Sequence, residues 1–416
     1  MTDSGQSSPA ARGMPGRLRG AGAVLRPLDA GARQLARGFI RRAVRLGAAP
    51  ARFGWRHVEP VTLAAAADRC RRVAEARREE HPLPRNVPAR ADLPDMVHWW
   101  GYSFRDVPDR PSGETAMARV RDATIVSYRR EDGQFYPAIL TRDGTSIDMR
   151  EIRFRNGHAE ALRAAKAAGT EPAEMARAVW ILERVHDNHS HWLTAHLPKL
   201  LLLRRMGELD NVLLPATLTR TQAASLKLLG LDPDRFPRFD ESRPLKVADL
   251  TLVQTDRFRP DLLAPVRDAL APRLPRAARS RRIYVSRARA RFRRLRNEDE
   301  ILPMLEARGF ERVFLEEMDF EAQVELMRRA EAVVAPHGAG LTNVMFCAEG
   351  THVVEIASPR FPNPNFYAVA SAMGQPYYIA QAAEHGEVDP LQRDLSVAPD
   401  RLRDILDMID AGEGAR

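Results

Sequence analysis

The residues most capable of chemistry lie late in the chain, in the turn Pro336-His337-Gly338-Ala339-Gly340 and at an acid eighteen positions after its histidine, Glu355. Between a strand and a helix, a glycine-bearing turn lets backbone N–H groups approach an anion, and the helix N-terminus favours negative charge there. His337 adds a donor at the lip of that turn. Glu355, ending the next apolar run, is positioned to accept hydrogen bonds from a ribose. Together they point to a nucleotide diphosphate, and so to an activated sugar or similar donor.

The elements that must position these residues are legible around them. Arg282–Ser286, Val313–Leu315, Ala332–Ala335, His352–Ile356 and Tyr377–Ala380 read as short apolar strands. Helices are expected between them. Asn297 and Asp319 sit at N-cap positions, Glu300 follows Asn297 at capping-box spacing, and Gly309 stops the first helix. A second helix runs over Phe320–Ala330, a third opens near Leu341, and another lies near Asn365–Met373. Serial βα units predict a parallel sheet with helices on both faces, with ligands beyond the carboxyl ends of its strands.

The first half is less regular. Ala123–Tyr128 and Phe135–Leu140 read as β segments, and Asp143-Gly144 before Ser146–Met149 as a hairpin. A helical stretch follows over Ala159–Lys166, then a strand at Val179–Leu182. That strand leads into His186-Asp187-Asn188-His189-Ser190-His191-Trp192 and an amphipathic helix to Arg205. Asn211–Leu214 and Lys246–Leu252 complete a second α/β sheet. Phe258–Ala278, rich in Pro and Arg, spans the junction.

Several features have competing readings. His186, His189, His191 and His196 invite a zinc site, but no compact ligand motif such as H-E-x-x-H accompanies them. Asp232-Pro233-Asp234 mimics a metal-binding D-x-D and is better explained as a turn. Trp99-Trp100 and Trp192 suit either sugar stacking or a core.

At 416 residues the chain is long enough for two domains with substantial cores. No apolar run approaches the roughly 20 residues that span a bilayer. Cys70 and Cys347 match no metal spacing and no disulfide framework, which fits a reducing cytoplasm. The net charge of +9 resides entirely in residues 1–57, which hold 11 arginines and two acids. Its first 30 positions have the composition of a disordered segment. Within the arm, Leu35, Phe39, Ala43 and Leu46 recur at helical spacing among arginines, so contact with an anionic membrane surface competes with a solvated basic arm. No reader motif supports nucleic acid. Three regions are expected: the arm 1–57, an acceptor-side α/β domain 58–265, and a donor domain 266–416 ending in a helix.

Three blocks resemble glycosyltransferase family 61, which includes bacterial capsular-polysaccharide enzymes and eukaryotic xylosyl- and N-acetylglucosaminyltransferases. They are NHSHWLTAHLPKLLLL (Asn188–Leu203), YVSRARARFRRLRNEDEI (Tyr284–Ile301) and MDFEAQVELMRRAEAVVAPHGAGLTNVMFCAEGTHVVEI (Met318–Ile356). The resemblance implies a GT-B architecture, two Rossmann-like domains facing a cleft. It also implies inverting, metal-independent transfer from a UDP-sugar to a glycan or lipid-linked saccharide, with UDP-sugar as substrate and no cofactor. Residue by residue, His337, Gly338, Gly340, Thr342 and Asn343, with Ala339 between the glycines, match the donor loop. Arg287 matches a phosphate-holding arginine, Glu355 the strand-ending acid, and His191 the histidine of N-x-x-H-W. Many bacterial relatives carry an acid four residues after that histidine, where this chain has Ala195. The general base then falls to His191, with Asp187 and His196 behind it, or the chain is a catalytically silent, donor-binding scaffold. Cytoplasmic location, with peripheral contact at the inner membrane face, completes the expectation.

Overall fold

The computed structural model describes residues 60–97, 101–270 and 279–412. The basic arm with its Leu35–Leu46 pattern, and Trp99-Trp100, lie outside these residues. Residues 60–416 form one compact unit built on two α/β sheets, both mixed in strand direction.

The first sheet has seven strands: β1 (Arg69–Ala74), β2 (Thr115–Arg129), β3 (Phe135–Leu140), β4 (Ala173–Trp180), β5 (Val212–Pro215), β6 (Arg238–Phe239) and β7 (Leu245–Gln254). β4 lies parallel to β5 and β7, and β7 runs antiparallel to β2 along nine registered pairs. β2 is much longer than the Ala123–Tyr128 segment read from sequence. Polar Arg119, Arg121 and Asp122 interrupt its alternation; β7 pairs with Arg119 and Arg121, β1 with Arg119, and Asp122 is passed over in both registers.

The second sheet contains β8 (Arg281–Val285), β9 (Phe310–Val313), β10 (Ala330–Pro336), β11 (His352–Ala357), β12 (Tyr377–His385) and β13 (Asp394–Val397), in the order 9-8-10-11-12-13. All pairs are parallel except the last. Side chains alternate between faces, as the strand period of two requires. Val333 and Ala335 enter one core cluster while Ala332 and Val334 enter another. The second cluster is closed by the helices Glu298–Ala307 and Pro399–Asp410, whose Leu402, Ile405, Leu406 and Ile409 form one apolar stripe.

The first cluster is continuous across both sheets, joining Trp180 and Leu200 of the first half to Val333 and Leu341 of the second. The Pro-rich junction contributes to it, because Pro260–Leu270 is a helix that buries Leu263, Val266 and Leu270. Proline at its first position lacks only an N–H that a helix start leaves unpaired anyway. Asp319 caps its helix as read, its carboxylate accepting from Ala322 N–H at 2.7 Å. Asn297 occupies an N-cap position without capping through its side chain, which instead bonds both backbone groups of Val397.

Candidate active site

The strand order of the second sheet reverses between β8 and β10. In open α/β sheets the crevice beyond the carboxyl ends at such a switch receives the ligand. β8 delivers Ser286-Arg287 to that edge, and β10 delivers Pro336-His337-Gly338 beside it. The sequence blocks around Arg287 and His337 therefore meet because their strands are neighbours.

The contact between them is tight. A Cβ built on Gly338 would lie 2.1 Å from Arg287 Nη1 and 2.7 Å from its Cζ. Gly338 has φ 178°, which any residue can adopt. Glycine is required for the approach of the guanidinium, not for the backbone. Arg287 donates to the carbonyls of Arg293 (3.1 Å) and Phe292 (2.8 Å). Arg293 in turn donates to the His337 carbonyl at 3.0 Å and to that of Leu391. Both guanidiniums are largely buried and donate to neutral carbonyl oxygens. Burial pulls Arg287 below its ordinary range, and burial with the neighbouring Arg287 charge brings Arg293 down to about 10. Arg293 also adopts φ 55°, a strained conformation for a side-chain-bearing residue. Two adjacent buried cations on a strained turn form a ready anion site.

Glu355 departs from its expected role. It is 0% exposed, so its carboxylate cannot meet a ribose. One oxygen accepts from His337 Nδ1 and the other from the Tyr377 hydroxyl at 2.5 Å. Burial and the adjacent carboxylate push the Tyr377 hydroxyl well up, so it remains a donor. Glu355 thus fixes the His337 ring and its tautomer, as a carboxylate behind a working histidine does.

Thr342 and Asn343 are also fully buried rather than facing a ligand. Asn343 Oδ1 pairs with His189 Nε2 at 2.6 Å, and its amide donates to Gln323 at 2.8 Å. That histidine belongs to the first half, so the bond ties the helical turn after Gly338 to the helix carrying His191. Ala339 and Gly340 are partly exposed on the turn itself.

Asn188 caps the first-half helix by accepting from Ser190 and His191 N–H. His191 then leads into a π-helical turn, Trp192–His196, before α-helix resumes at Leu197. Such insertions frequently accompany functional sites. His191 lines a cavity of about 810 Å³ together with Tyr102, Arg150, Asp256, Arg257 and Asn365. Tyr102 donates to Asn365 across the two halves at 2.8 Å. Arg257, 3% exposed, donates to Thr194 Oγ1 at 3.0 and 2.8 Å and approaches His191 Nε2 at 3.3 Å. Burial, then the charges of Arg257 and Arg150, hold His191 far below its ordinary range, so it is neutral.

The remaining histidines diverge. His196 Nε2 accepts from Glu183 N–H, and burial lowers it to about 3. His186 packs edge-on against Phe135. Among the described residues no three His, Cys, Asp or Glu side chains converge as metal ligands. Asp187 is exposed and does not line the cavity with His191, which removes it as a partner for that histidine. Ala195 is fully buried and likewise away from the cavity lining. Trp192 is core, donating to Ser225 Oγ at 2.9 Å. Asp232 accepts from Asp234 N–H in a short 3-10 turn, as its loop reading requires. No described helix is long and apolar enough to cross a membrane.

Sequence reasoning passed over Arg257 and Arg293 because both sit in arginine-rich runs. The one available signal for Arg257 was its place, three residues past the carboxyl end of β7.

Comparison with known proteins converges on the same segment. Residues 190–354 match the glycosyltransferase 61 family. Over 95 residues, 22% of this chain, the sequence is 34% identical to an EGF domain-specific O-linked N-acetylglucosamine transferase of Drosophila melanogaster. Over 69 residues, 17% of the chain, it is 32% identical to a Beta-1,2-xylosyltransferase of Arabidopsis thaliana. The matches span 18% and 13% of those relatives. The matched family segment runs from beside His191, through Arg257, Arg287 and Arg293, to the residue before Glu355, so these groups lie within the stretch that is similar to glycosyltransferase family 61.

Proposed function

We propose that the protein is an inverting glycosyltransferase that moves a sugar from a UDP-sugar to a glycan or lipid-linked saccharide, without a metal ion. The observation carrying this reading is the buried Arg287–Arg293 pair against the His337-Gly338 turn, at the switch point of the second sheet. A diphosphate leaving group develops negative charge as the glycosidic bond breaks, and preorganised buried cations stabilise that charge strongly. The two sheets then correspond to the halves of a GT-B arrangement, with the donor on the second and the acceptor in the cavity beside His191.

In this reaction the acceptor oxygen bonds to the anomeric carbon, the carbon–diphosphate oxygen bond breaks, and UDP departs with the electron pair. His191 takes the acceptor proton on Nε2, the ring nitrogen 3.3 Å from the Arg257 guanidinium that lines the same cavity. His337, held by Glu355, hydrogen-bonds the diphosphate. The family resemblance supports a place in cell-surface or capsular polysaccharide assembly, in the cytoplasm and at the membrane's inner face. The rival reading, a silent donor-binding scaffold, drew on Ala195. Because that side chain is buried away from the cavity, alanine there leaves the cavity's own groups in place.

The test is a thermal-shift panel of UDP, GDP, CDP and ADP followed by turnover of UDP-sugars with and without EDTA. At a hundredfold excess over its dissociation constant a ligand adds about 2.7 kcal/mol of stability. The proposal expects UDP to give the largest shift and turnover to survive EDTA. Equal shifts for all four nucleotides, or turnover restored only by Mn²⁺, would oppose it.

A further inference from the structure

The cavity beside His191 contains more positive charge than its own carboxylates neutralise. Asp256 is paired with Arg110 at 3.1 Å, Asp148 with Arg153 at 3.0 Å, and Glu151 with Arg184 at 2.7 Å. Glu114, the remaining acid of the lining, is paired with Arg72 at 3.1 Å. Arg150, Arg155 and Arg257 line the same cavity, and none of them has a carboxylate within ion-pair distance among the described residues. Arg155 stacks on the Tyr136 ring. Arg257 is buried with only neutral partners, Thr194, His191 and Ser190. Removing a cation from water without a counter-charge is costly. A cation kept so at the wall of an open cavity is set to meet negative charge there.

The neighbouring turn supports the same conclusion. Arg150 and Glu151 close the two-residue link between the bridged Met149 and Ile152. Glu151 has φ 62°, a conformation natural to glycine and strained for glutamate. Glycine would relax the turn but would release Arg184 from its carboxylate. As built, the turn neutralises Arg184 and leaves Arg150 uncompensated at the rim.

Building on the glycosyltransferase reading, we propose that the acceptor carries an oxyanion, a carboxylate or a phosphate, seated between Arg257 and Arg150 with its reacting hydroxyl towards His191. Such an anion draws Arg257 off His191 Nε2 and offsets the arginine charges that, after burial itself, oppose protonation of His191. An acidic acceptor therefore completes the base, and a neutral one leaves it occupied.

The experiment is ligand-observed NMR titration of the full chain with methyl β-glucuronide, glucose 6-phosphate and neutral methyl β-glucoside, each with and without saturating UDP. Arg150 is exposed, so Arg150→Gln retains the fold. The proposal expects the anionic sugars to bind at least about tenfold more tightly than the glucoside, as one charge-assisted bond provides. Saturating UDP should leave that preference in place. Arg150→Gln should reduce it to under about threefold while UDP affinity changes by less than about twofold. Equal affinity for all three sugars, no binding of either anionic sugar, or an unaltered preference in the variant overturns the proposal. Displacement of the anionic sugars by UDP, with UDP affinity lost in Arg150→Gln, also overturns it and assigns the cavity to the donor diphosphate. Failure of the glycosyltransferase reading appears separately, as absence of UDP binding to the unmodified chain.

Discussion

Gly338→Ala isolates the role of the Arg287 guanidinium more cleanly than deleting the arginine. The backbone at φ 178° accepts alanine without strain, so the only conflict is the new Cβ, 2.1 Å from Nη1. That atom ends a flexible side chain, and the guanidinium can swing aside. Doing so breaks its bonds to the carbonyls of Phe292 and Arg293 and withdraws its charge from the turn. If the group holds a phosphate oxygen, the loss is that of a charge-assisted bond, about 1.5–3 kcal/mol. UDP should then bind roughly 12- to 160-fold more weakly by isothermal titration. The same substitution in an Arg287→Ala background should have almost no further effect, because the group it displaces is gone. Full UDP affinity in Gly338→Ala, or equal losses in both backgrounds, would refute the reasoning.

Three further outcomes are expected. Glu355→Gln should lower both thermal stability and donor affinity, since the amide must present one donor to His337 or Tyr377; a loss of affinity with undiminished stability would return Glu355 to direct ligand contact. Lys199→Met should destabilise by about 3–5 kcal/mol in urea unfolding, because it leaves the Glu183 carboxylate, 2.5 Å away and fully buried, without its cation; a near-neutral result would show that Glu183 is neutral in the fold. Burial holds His158 at about 4 and His196 at about 3. Their unfolded forms bind protons first, so the stability they contribute is complete above about pH 6.5 and falls as pH drops towards those values. Each adds a slope of up to about 1.4 kcal/mol per pH unit, and urea unfolding that is flat between pH 6.5 and 5 would contradict this.

The second sheet was legible because its strands are short apolar runs separated by capped helices. The turn at His337-Gly338 was legible because a glycine-bearing turn between a strand and a helical segment lets backbone N–H groups approach an anion. What the neighbours do to each residue was not. Glu355 and Asn343 carry polar groups that suggest ligand contact, yet both bond other side chains in the core. Asn297 has the right spacing for a cap, yet a strand 100 residues later claims its amide. The π-turn at Trp192–His196 leaves no compositional mark. Arg257 and Arg293 differ from the surrounding arginines only in burial and in lacking acids, properties that require the fold.

The central claim, that a diphosphate is held at the switch between β8 and β10, is tested most directly by a crystal structure with UDP bound. The account predicts phosphate oxygens within hydrogen-bonding distance of Arg287, His337 and the backbone N–H groups after Gly338. UDP seated in the cavity beside Arg150 and Arg257, with Arg287 untouched, would contradict it.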